Sequence, residues 1–296
     1  MAPTQQNLAW SVVGQGAIGL LAACRLQLHG YAVSLWLREP APLSVIFNTL
    51  EHQQYSCYFL PTIAPIQHSV VAVKAYAVAS CLAQLKPYLA HHAQLIISHN
   101  GMPDLDSLRQ FAGVDQGIWF LSTSHGALRK KGAIEHTGEG QSSLCPLNHA
   151  AVKATPAVLD AMQAALGPVT LTENIMPALW RKLAVNAVIN PLTTLFNCRN
   201  GALVEPQYAS TIQRIIAEVC ELANAEGMAL PYDSTLQHVY HVMQATANNY
   251  SSMQQDHAQG RPLELAAITG FILKTAAKHQ LAMPENQAIW QTLSAD

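Results

Sequence analysis

Charge is scarce in this 296-residue chain: Asp, Glu, Lys and Arg make up 11% of it, less than half of the roughly 25% typical of soluble domains. Sixteen Lys and Arg against 18 Asp and Glu leave a formal net charge of −2, and nowhere are the basic residues gathered into a stripe. A nucleic-acid-binding surface therefore lacks its electrostatic footprint. The six cysteines (Cys24, Cys57, Cys81, Cys145, Cys198, Cys220) form no CxxC and no metal-ligand spacing, which points to free thiols in a reducing compartment rather than to a metal or a disulfide framework. Also absent is an unbroken apolar run of the roughly 18–20 residues that a membrane span requires. LAWSVVGQGAIGLLAAC, residues 8–24, comes nearest to a secretory leader, yet glycines at 14, 16 and 19 interrupt it and no Lys or Arg precedes Arg25. The positive region that opens a leader is missing, and the expectation is a soluble, cytoplasmic protein. No internal repeat or low-complexity tract is visible. What the chain has in quantity is hydrophobic residues, 50% of the total, enough for a sizeable core spread over about two domains.

The first half alternates short apolar runs with helical patterns. Strands are expected in LAWSVVG, YAVSLWLR, SVVAVKA (69–75), AQLIISHN (93–100) and QGIWFLSTS (116–124), with helices from the glycine turn to about His29, over 75–90 and over 154–169. Strand, helix, strand at this spacing implies a parallel sheet built from right-handed crossovers. Residues 126–150, rich in Gly, His and Ser, read as a hairpin or loop region. From about residue 172 amphipathic helical patterns follow one another, over 174–197, 206–227, 233–249 and 262–280. The expected fold is α/β: an N-terminal Rossmann-type dinucleotide-binding domain, residues 1–171, followed by an all-helical C-terminal domain, residues 172–296.

GQGAIG (14–19) lies between a strand and a helix, the context that gives a GxGxxG its meaning. Gly14 permits the tight turn, Gly16 lets the backbone approach a pyrophosphate, and Gly19 lets the helix pack on the strand. The helix start adds N–H donors and partial positive charge. The second strand ends in LWLR, so Arg38 stands where NAD enzymes usually carry an acidic residue, which favours a 2′-phosphate and hence NADP. Glu39 follows and in another register is the acid; a surface residue capping a strand is the less favoured reading of Arg38. Lys74, at the end of a strand, and Asn100, in HNGM, sit at carboxyl ends where ligands of such sheets bind. A solvated lysine and an ordinary Asn-Gly turn are the alternatives.

In WRKLAVNAVINPLTTLFN (180–197), Lys182, Asn186 and Asn190 recur every four residues and stack along one face of a helix. Polar groups in so apolar a helix are costly to bury without partners. A positioned ammonium can stabilise an alkoxide and then protonate it, as reduction of a ketone requires, and carboxamides can bind hydroxyl and carboxylate oxygens. The same residues also read as a lysine whose stem lies along apolar surface and asparagines in ordinary helix contacts, and spacing alone supports both readings equally. Pro191 is expected to draw Asn190 out of helical geometry. Asn249 and Ser252 in NNYSSM fall near the end of one helix and Glu264 in the first turn of the last long one, where caps and dipole partners also belong. His238 and His241, a helical pair without a third ligand, make a poor metal site.

Together GQGAIG, VKAY, HNGM, WRKLAVNAVINPLT with NCRNG, SSM and a later Glu resemble the ketopantoate reductase (2-dehydropantoate 2-reductase) family over nearly the whole chain, with WRKLAVNAVINPLT the most specific element. The resemblance implies NADPH-dependent reduction of ketopantoate to pantoate in pantothenate and coenzyme A biosynthesis, by a Rossmann domain and a helical domain with the site in the cleft between them. It implies Lys182 as proton donor and Glu264 as the acidic residue near cofactor and substrate. Asn100, Asn186, Asn190, Asn200, Asn249 and Ser252 fall on substrate-binding positions, and Gly14, Gln15, Gly16, Ala17, Ile18, Gly19, Arg38, Lys74, Asn100, Ala127 and Glu264 on cofactor positions. The implied partner is a small 2-oxo acid, without nucleic acid, membrane or metal, for a monomer or homodimer. The chain departs from the family's pattern at Ala266 and Thr269, where Asp and Asn are usual, and at Pro103. Ala266 and Thr269 motivate one alternative, a reductase of another branched 2-oxo acid; a second, of a different class, is a non-catalytic NADP-binding or sensor protein, against which the presence of both Lys182 and Glu264 argues.

Overall fold

The computed structural model describes residues 8–294. The chain forms two compact units: one runs up to His99 and resumes over Asp104–Ile175, and the other joins Asn100–Pro103 to the chain from Met176 onward.

The first unit carries β1 (Ala9–Val13), α1 (Ala17–Leu28), β2 (Ala32–Trp36), β3 (Leu43–Asn48), β4 (Gln54–Pro61), β5 (Ile66–Val71), α2 (Val78–Leu85), β6 (Leu89–Ile97), α3 (Leu105–Phe111), β7 (Gly117–Thr123), β8 (Gly126–Lys130), β9 (Ala133–Gly138), β10 (Ser142–Pro146), α4 (His149–Lys153), α5 (Thr155–Leu166) and β11 (Val169–Leu171). The strands form one sheet in the order β11-β10-β7-β6-β5-β1-β2-β4-β3-β9-β8. From β7 to β4 every neighbouring pair is parallel. Such strands are covered on both faces and read as continuous apolar runs; all of β7 (GIWFLST) is buried. Trp10, Val12, Leu20, Leu21, Leu26 and Leu35 share one core with α5 residues Val158, Met162 and Leu166. The chain passes from β1 to β2 on one side and then returns to β5 on the other. That reversal opens a crevice at the carboxyl ends of β1 and β5.

Several sequence expectations change here. Residues 43–61 form the β3–β4 hairpin, which no pattern announced, because its outward residues Ile46, Tyr58 and Leu60 are apolar too and erase the alternation of a one-sided strand. The helical reading of 75–90 holds for Val78–Leu85, but Leu89 and Ala90 already belong to β6. Residues 126–150 supply β8, β9 and β10.

The second unit contains α6 (Met176–Leu195), α7 (Pro206–Ala225), α8 (Tyr232–Ala245), α9 (Ser252–Ala258), α10 (Phe271–Lys278) and α11 (Pro284–Leu293). The long helix expected over 262–280 is instead a π-helical turn, Ala266–Gly270, leading into α10. α8 stops at Ala245, so Asn249 lies in the connection after it and Ser252 opens a separate helix. α6 runs on through Pro191, contrary to the kink expected at Asn190. α11 has no side-chain cap of its own. Buried Glu218 of α7 serves instead, accepting from the Glu285 N–H at 2.7 Å, the Asn286 N–H at 3.1 Å and the Asn286 amide at 2.7 Å. Glu218→Ala leaves those donors buried without an acceptor, and about 2–4 kcal/mol of stability should go with them. Calorimetry should show Tm lower by on the order of 5–10 °C; an unchanged Tm would mean the carboxylate does not anchor α11.

Candidate functional site

In the first unit the glycine turn occupies the crevice. Gly14 has φ +81°, a conformation open to glycine, and its N–H donates to Trp36 O at 2.9 Å. Gly16 is the N-cap of α1 and offers no side chain to the first-turn N–H groups, among them those of Ala17 and Ile18. These N–H groups and the helix dipole form an anion site by their chemistry. A Cβ on Gly16 would lie 3.6 Å from Ala72 O, and one on Gly19 3.5 Å from Val12. Both are ordinary contacts, so at Gly16 the protein itself leaves room for a methyl group. The turn lies close to Ala72 and Val73, and Lys74 follows them, three residues past β5. Arg38 is exposed two residues past β2, and Ala127 is the second residue of β8, against the core. One contact had no local signal: the Arg129 guanidinium on β8 donates to Gln15 Oε1 at 2.8 Å, adding a cation at the glycine turn. The residues present thus fit a dinucleotide phosphate.

In the second unit the polar ridge of α6 has partners. Glu264 lies just before the π turn and is buried, 5% exposed. It accepts from the Asn100 amide at 3.2 Å. Burial pulls the pKa of Lys182 down from 10.5 to about 8, while the negative charge of Glu264 works in the opposite direction. Asn100 is held there by its neighbours. The Met102 N–H donates to Ala267 O at 3.2 Å. Gly101, at φ +79°, leaves no space for a side chain, since a Cβ would lie 2.3 Å from the same oxygen. π turns are uncommon and frequent at functional sites; this one provides the carbonyl on which Asn100–Pro103 docks. Of the two positions that depart from the family's pattern, Ala266 is exposed and Thr269 is wholly buried.

Of the remaining expected residues, Asn200 and Asn249 are in contact. The Asn200 N–H donates to Asn249 O at 2.9 Å, and its amide donates to Thr246 Oγ1 at 2.9 Å. Asn200 Oδ1 is buried with no hydrogen-bond partner among the described residues. Asn186 is partly buried, Asn190 is buried and Ser252 is exposed at the first position of α9. Thr193, buried behind Asn190, and Ser251, the N-cap of α9, touch at 2.7 Å; nothing in the sequence marked either. Among the described residues no three His, Cys, Asp or Glu side chains gather as metal ligands, and no helix is long and apolar enough to cross a membrane.

The space beside Gly16 separates a packing role from a binding role. Gly16→Ala should leave Tm within about 2 °C of the parent, while dinucleotide affinity measured by fluorescence titration falls by about tenfold or more. Unchanged affinity would remove the turn from the binding site.

Residues 10–149 match ketopantoate reductase PanE/ApbA, and residues 174–295 match its C-terminal counterpart. The 2-dehydropantoate 2-reductase of Vibrio cholerae is 36% identical over 284 residues, 95% of either chain. That of Yersinia pestis is 32% identical over 289 residues, 96% of this chain and 93% of its own. Among solved structures, 2-dehydropantoate 2-reductase from Geobacter metallireducens aligns at a TM-score of 0.86 over 97% of this chain and 99% of its own, at 22% identity. D-Mandelate dehydrogenase with NADH and anilino(oxo)acetate aligns at 0.85 over 97% and 98%, at 20% identity, a likeness of fold. Both parts of the chain and its curated relatives agree, and the protein belongs to the ketopantoate reductase family.

Proposed function

We propose that this protein reduces ketopantoate to pantoate with NADPH, a step toward pantothenate and coenzyme A, as a cytoplasmic monomer or homodimer acting on a small 2-oxo acid. The observation that carries the chemistry is the group Lys182, Glu264 and Asn100: an ammonium whose pKa burial has pulled to about 8, opposed by a buried carboxylate that is itself held by a carboxamide. Bound NADPH supplies the hydride to the carbonyl carbon. As negative charge grows on the carbonyl oxygen, the Lys182 ammonium stabilises it and delivers the proton that makes the hydroxyl. Near neutral pH such a lysine is still mostly protonated, yet it gives up its proton more readily than an ordinary one. Glu264 keeps the ammonium charged, and Asn100 fixes Glu264.

Substrate binding is assigned to Asn100, Lys182, Asn186, Asn190, Asn200, Asn249 and Ser252. Carboxamides and a hydroxyl can donate to a carboxylate and accept from hydroxyls without adding charge. The unpartnered Asn200 Oδ1 suits a hydroxyl of the substrate in particular, since a buried acceptor left alone is costly. Cofactor binding is assigned to the turn Gly14–Gly19 with Arg38, Lys74, Asn100, Ala127 and Glu264. Exposed Arg38, with its fork of N–H donors, suits the 2′-phosphate that distinguishes NADPH from NADH.

NADPH oxidation, followed by its near-ultraviolet absorbance, should be fast with ketopantoate and slow with pyruvate or 2-oxoisovalerate. Turnover with another oxo acid alone would move the substrate assignment, and no turnover with any would overturn the reading. Lys182→Ala should lower kcat by about 10²-fold or more and leave NADPH binding nearly intact; parent-like turnover would disprove the proton donor. Arg38→Ala should weaken NADPH at least about tenfold more than NADH, and equal losses would sink the 2′-phosphate assignment.

A further inference from the structure

Four of the residues assigned to the substrate lie on two helices, α6 and α9, and a buried contact joins the two. α6 bears Lys182, Asn186 and Asn190. α9 opens with Ser252, directly after its N-cap Ser251, whose hydroxyl accepts from the Gln254 N–H at 3.1 Å. Thr193 Oγ1 lies 2.7 Å from Ser251 Oγ, 2.6 Å from Ile189 O and 3.2 Å from Asn190 O. Thr193 is wholly buried and Ser251 is 5% exposed, so water does not compete for either hydroxyl.

We infer that Thr193 is a positioning residue: through Ser251 it fixes Ser252 relative to the Asn190 turn of α6. The inference rests on the ketopantoate reductase reading given above. Two properties of α6 make such a tie necessary. Pro191 has no N–H and removes one rung of the helix ladder directly after Asn190. The Thr193 and Thr194 hydroxyls bond back to the carbonyls of that turn, the latter at 2.7 Å from Asn190 O. The Thr193 hydroxyl donates across to Ser251 Oγ, which also accepts from the Gln254 N–H, and the same hydroxyl lies within reach of Ile189 O and Asn190 O on its own helix. A second tie runs parallel, from the Gln254 amide to Asn197 Oδ1 at 2.9 Å, at the turn that ends α6. Thr193 stands eleven residues beyond Lys182, about three turns along the helix, so the contact governs how the substrate is held rather than the proton donor.

The test compares Thr193→Val, Ser251→Ala, their double variant and Thr193→Ser with the parent enzyme. Thr193→Val should raise KM for ketopantoate by about tenfold while kcat stays within about threefold and NADPH affinity is unchanged. Thr193→Ser, which restores a hydroxyl, should bring KM back toward the parent. The double variant should be no worse than the poorer single one, since both singles break the same contact. A lowered Tm with KM unchanged would reduce Thr193 to a packing residue and overturn the inference, as would failure of Thr193→Ser to restore KM. If Thr193→Val does not fold, a parental KM in Ser251→Ala overturns it instead. A parent that binds NADPH but does not turn over ketopantoate overturns the functional reading, and this inference with it.

Discussion

A half-buried lysine sets the terms for the helical unit. Burial works against the charge on Lys182, and the carboxylate of Glu264 opposes that effect. A buried carboxylate in turn needs donors, and the Asn100 amide is one. Asn100 keeps its place because Gly101 has no side chain and Met102 bonds to the π turn that follows Glu264. Each group in this line satisfies a requirement created by the one before it. That explains why a glycine, a carboxamide and an irregular helical turn accompany a single lysine.

The sheet unit follows a different logic, in which open backbone matters more than side chains. Gly14 makes the turn, Gly16 leaves a helix start uncovered, and the reversal of strand order from β2 back to β5 leaves a crevice beside it. Main-chain N–H groups and the helix dipole leave partial positive charge there, with Arg129 and Gln15 paired at the edge. The sheet unit thus presents exposed backbone donors, while the helical unit holds a half-buried charge.

Features that repeat at short range were the ones legible in the sequence. The four-residue spacing of Lys182, Asn186 and Asn190 placed all three on one helix, and they lie together in α6. The glycine turn was legible because a strand and a helix flank it. The β3–β4 hairpin was not, because apolar residues on its outer face hide the alternation. The ends of α8 and the last long helix were misplaced, since a π turn and a short new helix leave the apolar periodicity nearly intact. Pairings across long separations, Asn100 with Glu264 or Thr193 with Ser251, leave no trace in a single sequence and appear only once the chain is folded.

The central claim is that Lys182 is the acid and that Glu264 sets its proton affinity. The direct measurement is the pH dependence of single-turnover NADPH oxidation with ketopantoate, in the parent and in Glu264→Gln. A general acid must be protonated to act, so the parent rate should be level at lower pH and fall about tenfold per pH unit once pH rises past a value near 8. Removing the carboxylate leaves burial unopposed, and the fall should begin at lower pH in Glu264→Gln. A limb at the same pH in both proteins, or no limb in the parent, would contradict the account.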